Sequence, residues 1–234
     1  MQTSVAIGDS QTFDLQGAVL FYRGPRAFAT WHSVISNEQR GLSLSEAQPL
    51  TLDFVRAISQ GLASPPPIEV LPENVLVRTA DVLVWWTAAA QRTMFFRTTD
   101  ESVTPLNGRR FFHPPLVWKV SGHELWVRAL RKNARPTADT PLFVAPYWNV
   151  NGEDGLTCQG SMRSPEDAGV ESIGQWEQAF FQSEFTHATG VRPLTNHPGG
   201  FVGLWTSLAD STKAFPANRL VPAKQTLLEF VQEA

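Results

Sequence analysis

Leu116-Val117-Trp118-Lys119-Val120-Ser121-Gly122-His123-Glu124-Leu125-Trp126-Val127-Arg128-Ala129-Leu130 decides the fold. Two runs rich in branched and aromatic side chains, 116–120 and 125–130, flank a turn-forming Ser-Gly-His-Glu tetrapeptide, which predicts an antiparallel hairpin. Upstream, Val75-Leu76-Val77, Val82-Leu83-Val84-Trp85-Trp86 and Met94-Phe95-Phe96 read as further strands; downstream, Leu142-Phe143-Val144-Ala145 reads as another. No helical pattern separates these runs. Strands joined by turns build an antiparallel meander, whereas a parallel sheet needs a helix or other long crossover between partners. The expected class is α+β.

Helices are expected at the flanks. Thr51 is placed to cap a helix from Leu52 to about Gln60, with Phe54, Val55, Ile58 and Leu62 on one face. Ser172 and Gln175 match a capping box for a helix from Ile173 to about His187, striped by Ile173, Trp176, Phe180 and Phe181. Phe201 to Leu208 is an apolar segment, and a short terminal helix is expected around Thr226 to Gln232. Nearer the N-terminus, Ala18–Tyr22 and Ala27–Trp31 form a hairpin pattern around Arg23-Gly24-Pro25-Arg26, and Gly41 to Pro49 reads as a loop. Ser64-Pro65-Pro66-Pro67 stops the first helix. It suggests a division into residues 1–63, an N-terminal extension or the first helix of the core, and residues 64–234, the core.

The 234 residues are 42% hydrophobic and 18% charged, enough apolar surface for a real core and too little charge for disorder. The formal charge of −3, without a Lys/Arg run, argues against direct nucleic-acid binding. No basic leader precedes an apolar stretch, and no segment approaches the roughly 18 apolar residues of a bilayer span. The expectation is a cytoplasmic protein that does not contact membrane.

Cys158 is the single cysteine. It can make no internal disulfide and no Cys-rich zinc site, the histidines lack metal spacing, and Gly199-Gly200 fits no nucleotide-binding motif, so neither metal nor cofactor is expected. A lone cysteine is often a buried small hydrophobe. Cys158, however, follows Asn149-Val150-Asn151-Gly152-Glu153-Asp154-Gly155 and precedes Gly160, a loop context that makes it reachable, and a thiolate is a good nucleophile. Asn149 and Asn151 are candidates to stabilise an oxyanion, or simply turn-formers. His187 and His197 are candidate bases; His32, His113 and His123 read as structural. Glu153 and Asp154 are weaker candidates to orient an amine.

The strand leading into Pro146-Tyr147-Trp148-Asn149-Val150, a glycine-bearing loop and then Cys158 resembles the active-site stretch of ubiquitin-conjugating enzymes, in which a His-Pro-Asn triplet precedes the catalytic cysteine. More specifically, HPPLVWKV, LFVAPYWNVNG, TCQGSMRSP, WEQAFFQSEFTH and TNHPGGFVGLW resemble the protein B family of the bacterial PRTRC system, over about Phe111 to Leu220. The resemblance implies a UBC-like antiparallel β-meander with flanking helices, carrying an N-terminal β-hairpin extension. It implies Cys158 as the carrier of a ubiquitin-like protein in thioester linkage, with Asn149 at the triplet's asparagine. Implied partners are that ubiquitin-like protein, a ThiF-like activating enzyme and a JAB-type metallopeptidase. Tyr147 and Trp148 replace the triplet's His and Pro, which leaves Asn151 as an alternative to Asn149. Related bacterial families place a histidine after the cysteine, which directs attention to His187 and His197. Trp148 would suit docking of a partner if exposed, or the core if not. Two rival functions remain: a non-catalytic UBC-fold binding module, and a cysteine hydrolase using Cys158 with His187 or His197.

Overall fold

The computed structural model describes residues 4–7, 11–23, 28–37, 41–52, 54–56, 58, 70–79, 81–165 and 168–233. The chain divides into two compact units, Met1–Ile68 and Glu69–Ala234.

In the first unit β1 (Ser4–Ile7) pairs with β2 (Gln11–Asp14), and β3 (Gly17–Tyr22) pairs antiparallel with β4 (Phe28–Asn37) from Gly17↔Ser33 to Tyr22↔Phe28. The expected hairpin is therefore present, while its turn at 24–27 lies outside the described residues. Gly41 to Pro49 is not a plain loop: β5 (Gly41–Leu44) and β6 (Gln48–Pro49) both add to β4. The ten-residue β4 is long enough to offer ladder positions to both, which composition does not reveal. Thr51 caps the helical segment as expected, its hydroxyl accepting from the Phe54 N–H at 3.2 Å. The helix end near Gln60 and the proline run lie outside the described residues.

The second unit is built on the opening hairpin. Its strands are β7 (Val75–Arg78), β8 (Val82–Thr87), β9 (Gln91–Thr93), β10 (Phe95–Phe96), β11 (Arg110–Phe112), β12 (Leu116–Ser121), β13 (Glu124–Ala129), β14 (Pro141–Val144), β15 (Glu184–Phe185) and β16 (Pro222–Thr226). The main sheet runs β16-β14-β13-β12-β8-β7, with antiparallel pairing throughout. Ser121 pairs with Glu124, so the hairpin turn is Gly122-His123, with Gly122 at φ +58°, a conformation glycine adopts without steric cost.

All of Leu116 to Val120 is buried, which requires cover on both sheet faces. On one face Leu116, Trp118 and Val120 join Leu83, Trp85, Leu125 and Val127 under α1 (Ile173–Gln182) and α2 (Gly200–Leu208). Trp118 and Trp85, paired across the ladder, stack 6.0 Å apart. On the other face Val117 and Val84 pack with Leu142, Leu227 and Phe230, the last two from α3 (Leu227–Gln232). Thr226 and Glu229 close a capping box on α3.

Three further expectations need correction. Met94–Phe96 is not one strand: β9 pairs with β11, Met94 is buried between, and β10 pairs parallel with β15. The helix from Ile173 stops at Gln182, and Ser183 turns extended as its C-cap. Residues 184–187 are needed elsewhere, as described below. Ser172 makes no capping bond to the helix; its hydroxyl donates to the Gly169 carbonyl, because a 3₁₀ turn at Val170–Ser172 already leads into the helix. The predicted apolar stripe, Ile173, Trp176, Phe180 and Phe181, is the buried face.

Candidate functional site

β14 delivers the chain into Pro146-Tyr147-Trp148-Asn149. The Pro146 carbonyl accepts from the Trp205 indole of α2 at 3.1 Å, and Tyr147 is fully buried with its hydroxyl 2.9 Å from His113 Nδ1. Trp148 is also core, stacked on Phe201 at 5.1 Å, so it offers no docking surface; the apolar face of α2 covers it. The two residues in place of His and Pro thus act as anchors that fix where Asn149 begins.

Asn149 has φ +61°, a left-handed conformation that Asn tolerates better than most residues. Its side chain is buried and bonded: Nδ2 donates to the Glu184 carbonyl at 2.9 Å, and Oδ1 accepts from the Thr186 N–H and the Thr186 hydroxyl, both at 3.1 Å. Its backbone is bonded too. The Asn149 N–H donates to the His187 carbonyl at 3.0 Å, and the Asn149 carbonyl accepts from the Cys158 N–H at 2.6 Å. One residue therefore joins the cysteine segment to the segment after α1, which is why the helix cannot run on to His187. The second Nδ2 hydrogen has no partner among the described residues, and Nδ2 lies 3.8 Å from where a Cβ on Gly160 would sit.

Between Asn149 and Cys158 the loop folds back on itself. Asn151 N–H donates to Leu156 C=O, Gly155 N–H to Asn151 C=O, and the Asn151 and Asp154 side chains each accept from a backbone N–H two residues on. Asn151 is in this geometry a turn-former. The loop then docks on β13, Val127 donating to the Gly155 carbonyl and Thr157 to the Leu125 carbonyl. Arg128 secures it from within the fold, with Nη1 on the Gly152 carbonyl at 3.2 Å and Nη2 on the Glu153 carbonyl at 2.6 Å. Burial pushes the Arg128 pKa down to about 10, so the guanidinium remains a cation at neutral pH and these bonds are charge-assisted. The Glu153 carboxylate accepts from the Val191 and Arg192 N–H groups.

Cys158 stands exposed at the end of this loop. After it, Gly160 (φ +44°) opens a turn closed by Met162 N–H donating to the Gln159 carbonyl at 2.7 Å, and the Ser161 hydroxyl accepts from Glu184 N–H at 2.7 Å. A depression of about 210 Å³ lined by Ser161, Arg163, Ala179 and Gln182 lies alongside.

His187 is exposed, with Nδ1 2.8 Å from the Thr186 hydroxyl. His197 is half-buried and serves the entry to α2: its Nδ1 accepts from Gly199 N–H at 3.1 Å. Asn149 thus brings Cys158 and His187 together through the backbone, while the bonds of His197 belong to the 195–203 segment. Thr186 and Arg128 went unremarked in the sequence. A threonine beside a candidate histidine and an arginine in a strand give no motif; their places follow from long-range pairing. Among the described residues no group of three His, Cys, Asp or Glu side chains is placed to hold a metal, and no helix is long and apolar enough to cross a membrane.

An antiparallel meander whose last central strand runs through a buried anchor into an exposed loop cysteine, with helices following, defines an α+β protein of the E2-like class. The family comparison agrees: residues 53–223 match the model of prokaryotic E2 family D, and the chain belongs to that family. No curated protein and no solved structure matches the chain. Membership supports a ubiquitin-conjugating-like role in general.

Proposed function

We propose that the protein accepts a ubiquitin-like protein as a thioester on Cys158 and passes it to an amine. The observation that carries this reading is the exposed thiol of Cys158 on a loop pinned at both ends, by Asn149 and by β13, in a chain of a prokaryotic E2 family. Thioester exchange needs a reachable thiolate, and aminolysis needs donors for the developing oxyanion. The spare Nδ2 hydrogen of Asn149, beside the Gly160 turn, is the side-chain donor we assign to that task. The resemblance to PRTRC protein B supplies the proposed partners: a ubiquitin-like protein, a ThiF-like activating enzyme and, for removal, a JAB-type metallopeptidase.

Incubation with the cognate activating enzyme, ATP and ubiquitin-like protein is expected to give a reductant-sensitive adduct that Cys158→Ala abolishes. No adduct with a demonstrably active partner set overturns the reading. One observation favours the binding-module alternative: the residues at the triplet's His and Pro positions, Tyr147 and Trp148, are packing residues. That alternative predicts a bound ubiquitin-like protein without any adduct.

A further inference from the structure

The hydrogen bonds around Asn149 determine which nitrogen of His187 carries a proton. The amide of Asn149 can be oriented in one way only. Its Nδ2 faces the Glu184 carbonyl, an acceptor, and its Oδ1 faces the Thr186 N–H, a donor; a flipped amide would set like against like at both contacts. Oδ1 can only accept, so the one proton of the Thr186 hydroxyl, 3.1 Å away, is directed to it. His187 Nδ1 lies 2.8 Å from that same hydroxyl oxygen, whose proton is already used. Only an Nδ1–H donating to the oxygen satisfies the contact. A neutral imidazole has one proton, so Nε2 carries the lone pair, on an exposed ring and without a protein partner among the described residues. The same reasoning gives His197 the opposite tautomer: its Nδ1 accepts from Gly199 N–H, so its proton is on Nε2.

We propose that Thr186 is a positioning residue that holds His187 as the Nδ1–H tautomer, and that His187 Nε2 is the base that takes the proton of the attacking amine. The catalytic half rests on the thioester reading above; the tautomer does not. Cys158 and His187 each bond to the backbone of Asn149, the first donating to its carbonyl and the second accepting from its N–H, so the two residues flank Asn149. In the proposed transfer the amine lies between the ester carbon and Nε2. The amine nitrogen bonds to the thioester carbonyl carbon and gives its proton to Nε2. The C–S bond breaks, Cys158 leaves as thiolate, and the imidazolium returns the proton to the thiolate or to water.

Long-range ¹H–¹⁵N spectra of the folded protein, taken where the imidazoles are neutral, read the tautomers directly. His187 is expected as Nδ1–H and His197 as Nε2–H. Thr186→Val is expected to shift His187 towards Nε2–H, and Thr186→Ser to keep the wild-type pattern. His187 found as Nε2–H in the wild type, or unmoved in Thr186→Val, overturns the positioning role. In single-turnover discharge of the preloaded thioester to free lysine, Thr186→Val and His187→Gln are each expected to slow transfer by about tenfold or more, with loading unchanged and Thr186→Ser close to wild type. Unslowed discharge by folded His187→Gln overturns the base role. Failure of the wild type to load at all overturns the carrier reading instead, and with it the base role, while the tautomer result is judged separately on the spectra.

Discussion

At the scale of single residues, the protein hides one polar pair beneath its candidate site. His113 is buried, with Nδ1 on the Tyr147 hydroxyl and Nε2 3.2 Å from the Arg92 carbonyl, among the rings of Phe111, Phe181 and Trp205. Burial pushes its pKa down to about 3 from an ordinary 6.5, so the ring is neutral in the folded protein wherever the protein is well populated. The unfolded chain takes up this proton near pH 6.5 and the folded chain only near 3. The stability from keeping the ring neutral is therefore complete above about pH 6.5 and drains away as pH falls towards 3, at about 1.4 kcal/mol per pH unit and about 4–5 kcal/mol in all. Urea unfolding between pH 7 and 4 is expected to show this slope in the wild type and a shallower one in His113→Phe, whatever that variant loses at pH 7. Equal slopes would mean that His113 does not titrate as a buried neutral ring. The histidine could be read in the sequence as structural, since nothing beside it suggested chemistry. Its partner Tyr147 could not, because 34 residues separate the two and only the sheet brings them together.

At the scale of elements, the strand pattern was legible and the ends of elements were not. Alternation of Leu116, Trp118 and Val120 against Val117 and Lys119 states the two sheet faces, and the Gly122 turn states the register. What local pattern could not state was where a helix would be cut short by a distant partner, as α1 is at Gln182 so that 184–187 can meet Asn149. The loop before Cys158 has the same character. Its composition announced a loop, yet its shape depends on Arg128, whose guanidinium also meets Gln225 Oε1 at 3.2 Å. Arg128→Met keeps the side chain's bulk but leaves the Glu153 carbonyl without its donor and the Gly152 carbonyl with only the longer bond from Arg192 Nη1 at 3.4 Å. An unsatisfied acceptor costs about 1–3 kcal/mol, partly offset by no longer burying a cation, so a net loss of about 1–2 kcal/mol is expected. Hydrogen exchange is expected to quicken at the Leu156, Thr157 and Cys158 amides before it does in β12. Uniform acceleration across the sheet would show that Arg128 supports the whole core and not the loop in particular.

At the scale of the molecule, the two units differ in what can hold them together. Both apolar clusters of the described residues lie wholly at or beyond Val75, with four fully buried tryptophans, Trp85, Trp118, Trp176 and Trp205. In the first unit His32 is the sole buried side chain among those described, and Phe21 and Phe28 are 85% and 60% exposed. So few buried side chains among the described residues offset little conformational entropy. We therefore propose residues 1–68 as an extension and the remainder as the core that carries the site. The family match beginning at residue 53 makes the alternative concrete: the helical segment after Thr51 would then be part of the E2-like core. Expression of residues 69–234 separates the two. If the extension is dispensable, the fragment shows a single cooperative unfolding transition and a near-ultraviolet dichroism dominated by packed tryptophan, and Cys158 reacts with a thiol reagent at the full-length rate. Residues 1–68 alone are expected to show no cooperative transition. A fragment 69–234 that keeps secondary structure but loses the aromatic dichroism would return the 51–58 helical segment to the core.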